Sequence, residues 1–143
     1  MKPNKITIHC TATKASMDIG AKEIKKWHVK GNGWSDIGYH YIIRRDGTIE
    51  EGRPLNRQGA HVKGYNKNNI GISYVGGLDD NMKPEDNRTQ DQKDSLDELI
   101  NNLCQEFNIE DIRGHRDYPG VSKACPCFNS IEEYTKYVEY WKR

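Results

Sequence analysis

The sequence predicts a single α/β domain in which a central mixed β-sheet is flanked by about three helices. Short apolar runs typical of strands alternate along the chain with amphipathic segments of helical period. An Asp46-Gly47 turn between two β-prone runs is a hairpin signal and predicts one antiparallel pair of strands. The length of 143 residues fits one domain, residues 1–143, that buries its own core.

The predicted elements follow the order strand, helix, hairpin, strand, helix, strand, helix. Their ranges are 5–8, 21–28, 39–45 with 48–51, 70–75, 89–107, 111–113 and 130–141. In the helix at 21–28 the predicted inner face contains Ile24, Trp27 and His28. Residues 54–68, which are rich in Gly, Asn, Lys and Arg, predict a long surface loop before the strand at 70–75.

Capping boxes predict where the last two helices begin. Thr89-x-x-Gln92 precedes an apolar stripe of helical spacing formed by Leu96, Leu99, Ile100, Leu103 and Phe107. Ser130-x-x-Glu133 has the same pattern ahead of a second stripe, formed by Ile131, Tyr134, Val138 and Trp141. Each stripe predicts one helix face buried against the sheet or the other helix.

Charge and hydropathy exclude two classes of partner. The chain has 22 Lys and Arg residues against 21 Asp and Glu, so a net charge of +1 gives no basic footprint for nucleic acid. No apolar run approaches the length of a membrane span, and residues 1–4 lack the apolar core of a signal peptide. We therefore expect a soluble monomer that is synthesised in the cytoplasm without a signal peptide.

The four cysteines favour metal binding or burial over disulfides, because the expected compartment is reducing. Cys104 lies near the apolar stripe of the longest helix and is interpreted as core. Cys125 and Cys127 are too close in sequence for an easy mutual bridge. Cys10 follows directly after His9, at the end of the first predicted strand.

Two histidines and a cysteine form a candidate metal site. His9 and His115 each end a predicted strand, where loops commonly shape a groove, and Cys125 follows ten residues after His115. Three such ligands leave the fourth tetrahedral position of Zn²⁺ open, as in catalytic zinc sites. A lone histidine at a strand end is more often structural, so this spacing leaves both interpretations open. Lys123 and Tyr39 add a cation and a phenol to the candidate site.

The chain resembles a known family over nearly its whole length. The matching stretches are 8–13, 34–43, 45–53, 59–61, 64–66, 70–72 with 75–77, 114–115 and 123–126. In these stretches the sequence is similar to the zinc-dependent N-acetylmuramoyl-L-alanine amidases of the small phage lysozyme type, which share a fold with animal peptidoglycan recognition proteins. The resemblance implies one Zn²⁺ per chain, bound by His9, His115 and Cys125 in a groove at strand ends. It also implies that Tyr39 and Lys123 are the catalytic pair.

The resemblance further suggests substrate-binding residues in the groove. These are His61, Trp34, Arg53 and Asn66. An exposed loop histidine without a role is the alternative for His61. Because neighbours in a strand point to opposite faces, we expect Cys10 to point into the core and His40, opposite Tyr39, to be structural.

The expected activity is hydrolysis of the amide between N-acetylmuramic acid and L-alanine in bacterial peptidoglycan, as in a phage or prophage endolysin acting on the wall after release or export. The alternative is a non-catalytic peptidoglycan binder on the same fold. Such binders typically lack the cysteine ligand, whereas Cys125 is present here. Cys127, two residues on, could compete for the metal.

Overall fold

Five strands form the mixed central sheet of the computed structural model, which describes residues 1–143. With two strands outside that sheet, the protein has seven: β1 Lys5–Cys10, β2 Thr13–Lys14, β3 Tyr41–Ile43, β4 Ile49–Glu51, β5 Asn69–Tyr74, β6 Gly77–Leu78 and β7 Asp111–Gly114. The α-helices are α1 Ala21–Lys26, α2 Gln90–Glu106 and α3 Ser130–Tyr140. The sheet order is β4-β3-β5-β1-β7, which confirms the predicted fold class.

The direction of the strands determines where the candidate ligands meet. β1 runs parallel to both of its neighbours, with Ile8 opposite Ile72 of β5 and Gly114 of β7. Strands β3 and β4 form the predicted antiparallel hairpin, and β3 lies parallel to β5. Parallel neighbours end at the same edge of a sheet, so the ends of β1 and β7 bring His9 and His115 together.

One face of the sheet is apolar and is covered by α2 and α3. The buried side chains of this face and of the two helices form a core cluster. It contains Ile6, Ile8, Cys10, Ile43, Ile70, Ile72, Tyr74, Leu96, Leu99, Ile100, Leu103, Cys104, Ile109, Ile112, Phe128 and Tyr134. Each large side chain buried in this way stabilises the fold by roughly 1.5–3 kcal/mol before entropy costs. The interpretation of Cys104 as core is confirmed.

The predicted capping box of α2 is confirmed. The Thr89 hydroxyl accepts a hydrogen bond from the Gln92 backbone N–H, and the Gln92 side chain accepts one from the Thr89 N–H. Gln92 is fully buried, and its amide also donates to the carbonyls of Ile43 and Val75. The cap therefore fastens the start of α2 to the sheet as well as satisfying the helix end.

The predicted capping box of α3 is wrong. Asn129 is the N-cap, accepting from the Glu132 N–H at 3.2 Å, and Ser130 is the first residue of the helix. The Glu133 carboxylate instead accepts two hydrogen bonds from the buried guanidinium of Arg88, at 2.6 and 3.0 Å. Ile131 is 43% exposed and is not part of the buried stripe. A buried guanidinium requires carboxylate partners, and this demand outweighs the local capping pattern.

Two further features were not predicted. β2 and β6 pair as a small parallel sheet of their own. The helix predicted at 21–28 is shorter, because α1 gives way to a π-helical turn, Trp27–Gly31. That turn leaves Trp27 43% exposed, against expectation.

No helix of the protein has both the length and the apolar composition needed to cross a membrane.

Candidate active site

Three potential metal ligands converge at the edge of the sheet where β1 and β7 end. His9 is the penultimate residue of β1, His115 follows β7 directly, and Cys125 lies on the irregular segment before α3. Their ligand atoms all lie within 4.8 Å of one another. His9 is 2% exposed, and the other two side chains are partly buried.

The sulfur of Cys125 lies in an environment that favours the thiolate. Its Sγ accepts a hydrogen bond from the backbone N–H of Cys10 at 3.2 Å, and its carbonyl accepts one from the Arg116 N–H. Hydrogen bonding from Cys10 holds the pKa of the Cys125 thiol below its ordinary value, although burial acts in the opposite direction. Lys123 contributes in the same direction as Cys10.

The other two nearby cysteines are not among the converging ligand atoms. Cys10 belongs to the apolar core beneath the helices, and hydrogen bonding to Cys125, together with burial, raises the pKa of its thiol. The Cys127 thiol donates to the carbonyl of Gly77 at 3.3 Å, and burial raises its pKa to about 12. Both are therefore protonated thiols at neutral pH.

Tyr39 presents a protonated phenol beside His9. The two rings lie 5.1 Å apart between centroids, and burial raises the pKa of Tyr39 above its ordinary value. An unionised phenol keeps an O–H that can donate a hydrogen bond at neutral pH. Tyr39 therefore fits the part of a donor toward a developing negative charge.

His28 also belongs to this site, which the sequence did not predict. Its ring lies 5.4 Å from Tyr39 and 4.7 Å from Trp34 between centroids. The Gly38 backbone N–H donates to His28 Nδ1 at 2.9 Å, and burial lowers the pKa of the ring. His28 is thus a neutral imidazole with its proton on Nε2. The helical pattern gave no sign of this role, because the π-helical turn changes the direction of the side chain.

The site lies in a pocket that is continuous with a longer groove. The pocket around His9 has a volume of about 280 Å³, and the groove beside it one of about 550 Å³. Five residues line both spaces: Trp34, Ala60, His61, His115 and Lys123. Asn66 lines the groove, and the segment Gly120–Ser122 forms part of its wall. The structure thus brings all predicted site residues except Arg53 to one cavity.

Arg53 lies outside this cavity. It is 9% exposed, and its guanidinium donates to the backbone carbonyls of Asp36, Ile37 and Gln58. These contacts tie together the two loops that carry Tyr39 and His61. The predicted contact of Arg53 with substrate is therefore replaced by a role in loop structure.

His61 is a buried ring and not an exposed loop residue. Its Nδ1 lies 2.9 Å from His9 Nε2, and its Nε2 lies 2.9 Å from the carbonyl oxygen of Asn69. Burial lowers the pKa of His61 to about 3, so the ring is neutral. Asn66 Oδ1 accepts from the backbone N–H groups of His61 and Val62 and holds this loop in place. His40, as expected, is buried and bonded to the backbone on both ring nitrogens.

Comparisons with known proteins identify the fold and the chemistry together. The family model described as N-acetylmuramoyl-L-alanine amidase matches residues 1–128. The chain is 46% identical over 126 residues to the endolysin of Klebsiella phage KP32, covering 88% of this chain and 82% of the phage protein. It is also 46% identical over 124 residues to the endolysin of Escherichia phage T7, covering 87% and 80%.

Solved structures of similar proteins support the same family assignment. The N-acetylmuramoyl-L-alanine amidase LysC from Clostridium intestinale superimposes with a TM-score of 0.80 at 34% identity, covering 97% of this chain and 87% of that one. The bumblebee recognition protein PGRP-SA gives a TM-score of 0.76 at 25% identity, covering 97% and 84%. The chain therefore belongs to the N-acetylmuramoyl-L-alanine amidases, enzymes that hydrolyse the amide between N-acetylmuramic acid and L-alanine in bacterial peptidoglycan.

Proposed function

We propose that this amidase works with one zinc ion held by His9, His115 and Cys125. The observation that carries the proposal is the convergence of their ligand atoms within 4.8 Å in the floor of the pocket. Zinc bonds of about 2.0–2.3 Å in a tetrahedral site place ligand atoms roughly 3.3–3.7 Å apart. The ligand atoms, within 4.8 Å of one another, lie close to that spacing. Two imidazoles and a thiolate are a donor set that suits zinc, and they leave one position open.

Zinc in this position would polarise the carbonyl of the scissile amide and lower the pKa of water, the two effects that hydrolysis of an unreactive amide requires. The protein has to supply hydrogen-bond donors for the charge that develops on the carbonyl oxygen. Tyr39, with its raised pKa, and the ammonium of Lys123 are two donors that line the pocket. We therefore assign them the catalytic roles beside the metal.

The groove suits a muramyl peptide, which extends on both sides of the scissile bond. Trp34 is 37% exposed at the junction of pocket and groove and offers an aromatic surface for a sugar ring or the lactyl group. Asn66 uses Oδ1 for backbone hydrogen bonds, so its Nδ2 is the atom that can donate to the stem peptide. His61 has both nitrogens engaged and contributes ring carbons to the groove wall.

We further propose that the enzyme acts as a lytic endolysin on the cell wall and works as a monomer. Its phage relatives carry that name, and the site described above is complete within one chain. It would act on the wall after release or export from the cytoplasm.

Metal content tests the zinc site. Purified protein should carry about one zinc per chain, as expected for a mononuclear catalytic site. A chelator should abolish amidase activity, and stoichiometric zinc should restore it. Full activity in metal-free protein would refute the proposal.

The nature of the cleaved bond tests the reaction separately. The site has no pair of carboxylates of the kind that glycoside hydrolysis requires, so the glycan strands should stay whole. Digestion of purified peptidoglycan should release new alanine amino termini in proportion to the fall in turbidity. A rise in reducing sugar ends without free amines would show that another bond is cut.

A further inference from the structure

A buried chain of hydrogen bonds connects the metal site to the backbone of β5. His9 Nε2 and His61 Nδ1 lie 2.9 Å apart, and His61 Nε2 lies 2.9 Å from the Asn69 carbonyl oxygen. The two imidazoles meet edge to face, at an interplanar angle of 83°. His9 and His61 are 2% and 9% exposed, so water does not compete strongly for these bonds.

The chemistry of the groups determines the direction of each bond. A carbonyl oxygen can only accept, so His61 Nε2 must carry a proton and donate a hydrogen bond to the Asn69 carbonyl. In a neutral imidazole the other nitrogen is then an acceptor, so His61 Nδ1 must accept a hydrogen bond from the N–H of His9 Nε2. His9 therefore has its proton on Nε2 and an available lone pair on Nδ1. That is the tautomer in which Nδ1 can bind a metal.

The residues around His61 hold its ring in the orientation that these two hydrogen bonds require. A Cβ atom at Gly71 would lie 2.7 Å from two ring carbons of His61, so only glycine allows the ring to lie against β5. The side chain of Asn69 is fully buried, accepting from Thr7 Oγ1 and donating to the Tyr65 carbonyl and the Tyr118 hydroxyl. The acceptor that orients His61 is thus itself held on a fixed strand.

We propose that His61 is a positioning residue for the metal site, which selects the Nδ1 ligand tautomer of His9 and fixes its ring plane. The proposal rests on the zinc site proposed above. A hydrogen-bond partner of a ligating histidine raises the basicity of the ligand and limits its rotation, and losing such a partner typically weakens metal binding by about 10–100-fold. Substrate contact alone would give His61 no influence on zinc affinity.

Zinc affinity, measured by competition with a chelator, separates this role from packing. His61→Phe keeps the ring volume but removes both nitrogens, and it should weaken zinc binding about 10–100-fold. His61→Gln retains one acceptor and one donor, and it should bind zinc more tightly than the Phe variant. Unchanged zinc affinity in His61→Phe, or equal losses in both variants, would overturn the proposal.

His40→Phe is the matched control. His40 is also a buried histidine with both nitrogens bonded, accepting from the Gly71 N–H and facing the Arg57 carbonyl, but it makes no hydrogen bond to a candidate ligand. This variant should lose thermal stability and keep wild-type zinc affinity. A zinc loss as large as that of His61→Phe would mean that affinity follows general destabilisation, and the proposal would fail.

A measurement on the wild-type protein avoids any folding defect of the variants. In ¹⁵N-edited NMR spectra of the zinc-loaded enzyme, His9 and His61 should each carry their proton on Nε2. A proton on His61 Nδ1, or zinc on His9 Nε2, would contradict the proposal. Absence of zinc binding in the wild-type protein would instead refute the metal site itself, so the two failures are distinguishable.

Discussion

The two faces of strand β1 have different roles, although both are formed by alternate side chains of the same six residues. Ile6, Ile8 and Cys10 point into the core beneath α2 and α3. Thr7 and His9 point to the other side, where loops rather than long helices cover the sheet. β5 repeats the pattern, with Ile70, Ile72 and Tyr74 in the core. Stability and chemistry thus depend on different residues of one rigid element.

The difference lies in how the polar groups are satisfied. On the loop-covered face Thr7, Asn69 and Tyr118 form a closed hydrogen-bond network with 0–5% exposure. Polar side chains whose bonds are complete cost little to bury and hold their positions. The catalytic groups lie where this network ends, at the carboxyl ends of β1 and β7. The comparison predicts that substitutions on one face change turnover and those on the other change stability.

The largest effect is expected at the metal cluster. Cys125→Ser should remove tight zinc binding and lower turnover by more than about 100-fold, the upper end of the losses seen when only a ligand's partner is removed. Cys127→Ser is the matched control, since its thiol donates to the Gly77 carbonyl, and most activity and zinc should remain. Zinc content and the rate at which a cell-wall suspension clears should be measured for both variants. Equal losses would mean that Cys127 also takes part in ligation.

On the helix-covered face, Ile100→Ala should lower the free energy of unfolding by about 2–5 kcal/mol, because the side chain is fully buried and leaves a cavity. Turnover per folded molecule should not change. Ile131→Ala is the control, since Ile131 is 43% exposed on α3, and it should shift stability by less than about 0.5 kcal/mol. Urea unfolding measures both. A fall in turnover of folded Ile100→Ala protein would break the separation of the two faces.

Substitutions of the two catalytic hydrogen-bond donors should lower turnover. Tyr39→Phe and Lys123→Ala should each lower kcat by about 10–1000-fold with zinc retained, because each removes a donor that acts in the transition state. Tyr41→Phe is the control, since Tyr41 packs against the opposite, apolar core. Steady-state kinetics and zinc content decide the outcome. Loss of zinc together with activity would make Tyr39 or Lys123 a structural residue.

Local patterns in the sequence were sufficient for most of the fold. The Asp46-Gly47 turn, the first strand and the Thr89 cap each depend on a few neighbouring residues, and each prediction is confirmed. The ends of the predicted strands marked His9 and His115, with Cys125, as a candidate metal site but left a structural interpretation open, and the resemblance to amidases implied their role as ligands and that of the catalytic pair. The structure brings those residues into one pocket.

Long-range contacts account for what the sequence did not predict. Glu133 does not take part in the predicted capping box, because its carboxylate accepts hydrogen bonds from Arg88, 45 residues away. Arg53 is bonded to carbonyls from two loops, which no local pattern indicates. His28 faces the pocket because α1 ends in a π-helical turn, and His61 contacts His9 because Gly71 leaves room for its ring. The partners of Glu133, Arg53 and His61 are not neighbours in sequence, whereas the turn that places His28 is a local departure from α-helical geometry.

The smallest effect is expected at the ion pairs of Arg88, on the helix-covered side of the molecule, when acid protonates their carboxylates. Burial alone would lower the pKa of Arg88 and raise those of Asp86 and Glu133, but the ion pairs among them dominate. Both carboxyl groups therefore have folded pKa values below their ordinary values of 3.8 and 4.5. The unfolded chain binds more protons in that range, so this contribution is complete above about pH 4.5 and is lost as the pH falls through the lower folded values.

Thermal unfolding between pH 6 and pH 3, scanned in steps of about half a unit across the range where carboxyl groups titrate, tests this contribution. The Glu133→Gln variant lacks one of the two titrating groups, so its melting temperature should start lower at pH 6 and fall less steeply toward pH 3 than that of the wild type. Asp79→Asn is the control, because Asp79 accepts only backbone hydrogen bonds in an exposed turn and has no Arg partner. Parallel wild-type and Glu133→Gln profiles would show that the Arg88 cluster adds no acid-dependent stability. The loss on acidification would then come from other groups, among them the buried His61 with its lowered pKa, and the ion pairs of the helix-covered face would have no part in it.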